Sequence, residues 1–163
     1  MNIYDTKILL QSCLKAKRIV EIQPKLPAGI TPRHIFIIDV IHNLSLSQKQ
    51  VKVSDISTKM QVTKPSITKL INELEQLHVI TKIPAAHDKR ITFVQLTELG
   101  ESYYDFYIDK YHTWVTGQMQ DITAEEVQTT AAVLQKLYHI LQQEHEHPTF
   151  IPPAEFNLEV NKK

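Results

Sequence analysis

A mainly α-helical fold with one small β-hairpin is what this sequence predicts. Three observations carry that expectation. Apolar residues recur at helical spacing along most of the chain. Residues 53–79 read as two helices joined by a tight turn. Residues 83–94, "IPAAHDKRITFV", set two β-prone runs around a polar turn that holds Asp88, Lys89 and Arg90.

The 163 residues fit one domain, or one domain with an extension, and 42% hydrophobic content leaves room for a sizeable core. No apolar run approaches the roughly 18–20 residues that span a bilayer. The opening "MNIYDTKILLQSC" lacks a cationic segment followed by an apolar core, so secretion is not expected. The single cysteine, Cys13, excludes an internal disulfide and fits a reducing cytoplasm. Net charge is zero, but it is unevenly spread. Residues 49–97 hold eight cations against four acids, whereas residues 98–163 hold eleven acids against four lysines. Phosphate binding depends on such local patches more than on the total.

The elements follow in order. Residues 5–22 read as a helix with Leu9, Cys13, Ala16 and Val20 on one stripe. "QPKLPAGITP" is a loop, since three prolines and a glycine cannot continue a helix. Thr31 then caps a helix that begins at Pro32 and buries Ile35, Ile38 and Ile41. "SLSQKQ" is a polar connection. Ser54 is expected to cap a short helix, "DISTKM", followed by the turn "QVT". Thr63 caps the next helix, "KPSITKLINELEQLH", with Pro65 in its first turn and Ile67, Leu70, Ile71, Leu74 and Leu77 on one face. The inward positions of the pair are Ile56, Met60, Val62, Ile67 and Leu70. Strands over 80–84 and 91–97 flank a turn at 85–90, and the whole reads as a winged helix-turn-helix. Residues 96–118 form another helix, with Tyr104, Tyr107, Tyr111 and Val115 at helical spacing. Thr123 and Glu126 have the capping-box form and open a last helix. Its Val127, Leu134 and Leu141, seven apart, make an apolar stripe of the kind helices use to pair. The three prolines of "HPTFIPPAEFNLEVNKK" rule out regular helix throughout the tail, whose Phe150, Ile151, Phe156 and Leu158 suggest docking on the body or a partner subunit. The chain thus divides into a helix and loop (1–30), a winged helix-turn-helix lobe (31–97), C-terminal helices (98–147) and a tail (148–163).

The second helix of the pair carries the chemistry. Its first turns present Thr63, Lys64, Pro65, Ser66, Thr68 and Lys69, while its acids, Glu73 and Glu75, come later. A helix that enters the major groove by its N-terminal end needs donors and cations there, and carboxylates at that end would repel phosphate. The helix dipole adds attraction for phosphate. A wing tip with Lys89 and Arg90 can reach an adjacent minor groove, where negative potential is concentrated. Asp88, an acid among cations, makes sense if it orients Arg90 through a carboxylate–guanidinium pair. The bland alternatives are a solvated helix face and a plain surface turn.

The run "VSDISTKMQVTKPSITKLINELEQLHVITKIPAAHDKRITFVQLTELGE" resembles the multiple antibiotic resistance regulator (MarR) family of bacterial transcriptional regulators. The matching features are the helix-turn-helix, the Asp-x-Arg of the wing at Asp88 and Arg90, and "LTELG" opening the next helix. The flanking helices match in number and order over residues 5–146. The resemblance implies a cytoplasmic homodimer on a pseudo-palindromic double-stranded DNA site, dimerised through the first helix and the last two. It makes Arg90 the minor-groove arginine and turns residues 63–69 to the major groove. It also implies repression relieved by a small-molecule effector. Of the aromatic set Tyr103, Tyr104, Tyr107, Tyr111 and Trp114, the tyrosines Tyr104, Tyr107 and Tyr111 are the candidate pocket, the alternative being that the stripe forms core and interface. The chain departs from the family where His78 stands after the recognition helix instead of a frequent glycine. Lys82 replaces a frequent arginine, and the inter-helix turn has Gln61 and no glycine.

Weaker signals point elsewhere. Cys13 is a candidate redox residue, although a cysteine on an apolar stripe is more often a small buried hydrophobe. The eight histidines form no compact zinc pattern, so neither metal nor other cofactor is expected. Three glycines cannot build a glycine-rich phosphate loop, and no nucleophile–base motif stands out, so an enzyme is not expected. The alternatives to a DNA-binding regulator are a winged-helix protein-interaction module and a thiol-based redox regulator using Cys13.

Overall fold

The computed structural model describes residues 1–22, 24–85, 88 and 91–151. Along the chain run α1 (Ile3–Glu21), α2 (Pro32–Ser47), β1 (Val51–Lys52), α3 (Val53–Met60), α4 (Lys64–Gln76), β2 (Ile80–Pro84) and β3 (Thr92–Leu96). Then come α5 (Glu98–Tyr104), a π-helical stretch (Asp105–Lys110), α6 (Tyr111–Gln118) and α7 (Ala124–Glu146). No described helix is long and apolar enough to cross a membrane. Residues 1–116 and 117–163 form separate units.

The core of the first unit is aliphatic. Ile37, Ile38 and Ile41 of α2 meet Ile56 of α3 and Ile67, Ile71 and Leu74 of α4, all essentially inaccessible to water. Burying each such side chain stabilises the fold by about 1.5–3 kcal/mol. This is the predicted inward face with one correction: Val62 is exposed, because it lies in the inter-helix turn and points away from the core. Ser57, itself buried, closes that turn by donating its hydroxyl to the Val62 carbonyl at 2.7 Å.

Helix ends follow their local chemistry. Thr31 caps α2, with Pro32 in the first turn as expected. Ser54 does not cap α3. The helix starts two residues earlier, at Val53, and the Asp55 carboxylate accepts the Lys52 N–H at 3.0 Å. Thr63 holds the cap position of α4, but its hydroxyl makes no capping bond.

The sheet is larger than the hairpin expected. β2 and β3 pair antiparallel with Ile80 opposite Leu96 and Pro84 opposite Thr92. β1 adds a third, outer strand, with Val51 opposite Val94. Two residues are too few to show a period of two, so the "SLSQKQ" connection concealed where this strand begins. Thr97 joins sheet to helix. Its hydroxyl donates to the His78 carbonyl at 2.7 Å, and its oxygen accepts the Gly100 N–H at 3.2 Å.

The single helix predicted over 96–118 starts two residues later, at Glu98, because Leu96 pairs within β3 and Thr97 is the cap, and a π stretch interrupts it. The backbone stays right-handed through Tyr104, Asp105 and Tyr111. The second unit holds α7, whose Thr123–Glu126 capping box is present as expected. Beyond α7, Glu144 accepts from Thr149 and Phe150, whereas the Phe150 and Ile151 side chains are exposed. Phe156 and Leu158 lie outside the described residues.

Candidate nucleic-acid interface

α4 has two faces of different kinds. Ile67, Ile71 and Leu74 are buried against the core, with Leu70 and Leu77 partly so. At 100° per residue the line directly opposite runs through Pro65, Lys69, Asn72 and Gln76, all exposed. Thr63, Lys64, Ser66 and Thr68 are exposed too, so every described residue of the expected recognition surface meets solvent. Thr68 turns its hydroxyl proton back to the Lys64 carbonyl at 2.9 Å, leaving its oxygen as an acceptor. Lys69 is 79% exposed and only loosely associated with Glu73, at 4.0 Å.

The buried side of α4 is also held by polar contacts. His34 of α2 is 2% exposed, and its Nε2 lies 2.9 Å from Glu73 Oε2. Its Nδ1 faces the Thr31 N–H at 3.2 Å. A backbone N–H can only donate, so Nδ1 is the acceptor, and the proton on Nε2 goes to Glu73. That pairing accounts for the acid within the cationic segment.

The second attachment is to the wing. Lys82 of β2 places its Nζ 2.7 Å from Glu75 and 2.9 Å from Asn72 Oδ1. Between α4 and the sheet lies a groove of about 430 Å³, bordered by Lys52, Ser54, Lys64, Thr68, Asn72 and Thr92. Reasoning from the sequence stopped at Lys69 and missed Asn72 and Gln76. Extending the 65–69 spacing by two more turns would have found them. At the wing tip, Ile91 donates its N–H to the Asp88 carbonyl at 3.0 Å. Lys89 and Arg90 lie outside the described residues.

The three candidate tyrosines do not share one environment. Tyr107 and Tyr111 donate their hydroxyls to the carbonyls of Lys25 and Ile22, at 3.1 and 2.9 Å, fastening the segment after α1. Tyr104 instead stacks on His42, ring centroids 3.5 Å apart. It borders a cleft of about 390 Å³ with Asp39, Asn43, Asp109 and His112. Burial, then the charges of Asp39, Asp109 and Glu101, raise its phenol above the ordinary value. The π turn separates the environments, because its wider winding breaks the helical spacing that would align the rings. Cys13 is half-buried on α1, on a stripe with Thr6, Leu9 and Ala16, whereas Val20 is exposed. Among the described residues no group of three or more His, Cys, Asp or Glu is placed to hold a metal ion.

Residues 30–100 match the family model of the winged helix DNA-binding domain. The HTH-type transcriptional repressor MdtR of Bacillus subtilis is 22% identical over 133 residues, spanning 82% of this chain and 83% of that protein. Among solved structures, the MarR/EmrR family transcriptional regulator from Acinetobacter sp. ADP1 aligns with a TM-score of 0.64 at 22% identity, covering 88% of this chain and 99% of that one. FabT of Streptococcus pneumoniae, solved in complex with DNA, gives 0.62 at 21% identity, covering 87% and 99%. At these identities the structural likeness establishes a shared fold.

Proposed function

We propose that this chain, whose residues 30–100 match the winged helix DNA-binding domain model and which has the fold of MarR-type regulators, is a homodimeric, sequence-specific transcriptional repressor rather than an enzyme. The observation that carries the reading is α4: anchored on one side by core, His34 and Lys82, and exposed along the other from Thr63 to Lys69. A rigid helix with cations and hydroxyls at its outer N-terminal half suits the major groove. In this reading Lys64 and Lys69 neutralise phosphates, and Thr63, Ser66 and Thr68 contact base edges or phosphate oxygens, with Pro65 shaping the first turn. The wing enters the minor groove with Arg90, Lys89 takes a phosphate, and Asp88 aims the arginine.

Dimerisation through α1, α6 and α7 is supported by the apolar side chains those helices leave uncovered. Leu14 and Ile19 of α1 are more than 60% exposed, as are Trp114 of α6 and Ile140 of α7. A second copy covering them would supply a second recognition helix, as a palindromic site requires. An effector would enter beside Tyr104, and the acids lining that cleft favour a neutral or cationic molecule over an anion. In this reading the protein works in the bacterial cytoplasm, the compartment that holds its DNA target.

The test is a mobility shift on genomic duplexes that the purified protein selects. Arg90→Ala should weaken binding about tenfold or more at matched salt, with melting unchanged. Asp88→Ala should weaken it too, although a negative charge is removed. Unchanged affinity for Arg90→Ala removes the wing from the interface. No saturable shift at low salt overturns the DNA reading altogether.

A further inference from the structure

We propose that Asn72 reads a base at one position in each half-site, its amide aimed by Lys82; the inference rests on the DNA-binding reading above. Three observations lead to it. Asn72 lies on the outermost line of α4, one turn beyond Lys69, and it is exposed. Its Oδ1 meets the Lys82 Nζ at 2.9 Å. An ammonium group only donates, so the atom facing the wing strand is the oxygen, and the two N–H donors lie on the side of the amide turned away from the ammonium. Finally, the Lys82 charge is matched by Glu75 at 2.7 Å, so Lys82 is committed to holding the amide in place and not to a phosphate of its own.

These features distinguish Asn72 from the other outer residues. Pro65 has no side-chain donor. Lys69 is a mobile point charge that a phosphate satisfies as well as a base does. Gln76 ends the helix. Asn72 alone among the four presents donors whose direction is set by a partner on another element. Held donors match the major-groove acceptors guanine N7 and O6, adenine N7 and thymine O4, and they clash with the cytosine amino group. The expected preference is therefore against cytosine on the contacted strand. Asn72 is the reading residue, and Lys82 is a positioning residue acting through it.

The experiment is selection from a duplex library of random sequence by wild-type protein, Asn72→Ala and Lys82→Met. Competition titrations on single-base variants of the wild-type site follow. Asn72→Ala should lose preference at one position per half-site and bind the wild-type site about tenfold more weakly, with the slope of log affinity against log salt unchanged. Lys82→Met should flatten the same position and no other. If Asn72→Ala selects the same site with the same per-position preferences, the residue reads nothing. If it weakens all sequences alike and lowers the salt slope by about one, it is a phosphate contact, which also overturns the proposal. If Asn72→Ala flattens a position that Lys82→Met leaves sharp, the aiming role is refuted. Wild-type protein that enriches no sequence refutes the DNA-binding reading itself, a result distinguishable because it does not depend on either variant.

Discussion

Gly100 has no room for a methyl group. A Cβ there would fall on the Val79 carbonyl oxygen and press on Leu96 atoms at 3.2 Å. Gly100→Ala should therefore destabilise the fold by about 1–3 kcal/mol or more, read as a lower urea midpoint. The "LTELG" string was legible as a helix opening. The close approach was not, because Val79 is remote in sequence. Gln61 and His78 show the converse. Both stand at turns where a glycine was the expectation, and both adopt left-handed backbone, φ 53° and 57°. The turns keep their geometry and carry the strain of a side chain, about 1–2 kcal/mol each. His78→Gly should raise stability by about 0.5–1 kcal/mol, since glycine's greater freedom in the unfolded chain offsets part of the relief. Unchanged or lower stability by urea denaturation would mean that the imidazole makes a compensating contribution.

At the scale of elements, local signals were read best where the chemistry is local. The caps at Thr31 and Thr123 were visible as three-residue spacings, and the structure contains both. The second gives a pH prediction. Hydrogen bonds from the Thr123 backbone and hydroxyl hold the Glu126 carboxyl below its ordinary value of 4.5. A depressed carboxyl stabilises the helix start above the unfolded value, and that contribution is lost as pH falls through the folded one. Amide exchange in the first turn of α7 should accelerate, relative to its intrinsic rate, as pH drops below about 4.5, and Glu126→Gln should flatten that response. What failed at this scale was non-local. The two-residue β1 exists because β3 offers it a partner, and Lys52, its N–H held by the Asp55 carboxylate, takes the cap position of α3 that was expected of Ser54. The π stretch left no mark in the spacing of tyrosines, although it decides which of them face the cleft.

For the whole molecule, the uncovered apolar residues set the expectation. α1 and α7 bury no residue within the chain. Val127, Leu134 and Leu141 are 47, 38 and 50% exposed, seven apart on one side of α7. Replacing Leu134 and Leu141 together by Asp should convert a dimer to a monomer in sedimentation, leave far-UV helicity nearly unchanged and abolish tight DNA binding. A wild-type monomer at micromolar concentration would remove the dimer from the proposal. The family match at residues 30–100 covers the lobe, and these flanking helices are where the proposal goes beyond it.

The sequence alone determined the order of helices, the helix-turn-helix, the hairpin that follows it and the cationic outer end of α4. Each of these rests on periodicity, capping or charge within a few residues, which a linear reading captures. Only the tertiary structure decided that Glu73 serves a buried histidine and that Lys82 is committed to Glu75 and Asn72. It also decided that Gly100 yields to the Val79 carbonyl and that the tyrosines part company. Those outcomes depend on side chains distant in sequence meeting at hydrogen-bonding distance, and such meetings follow from how the elements pack.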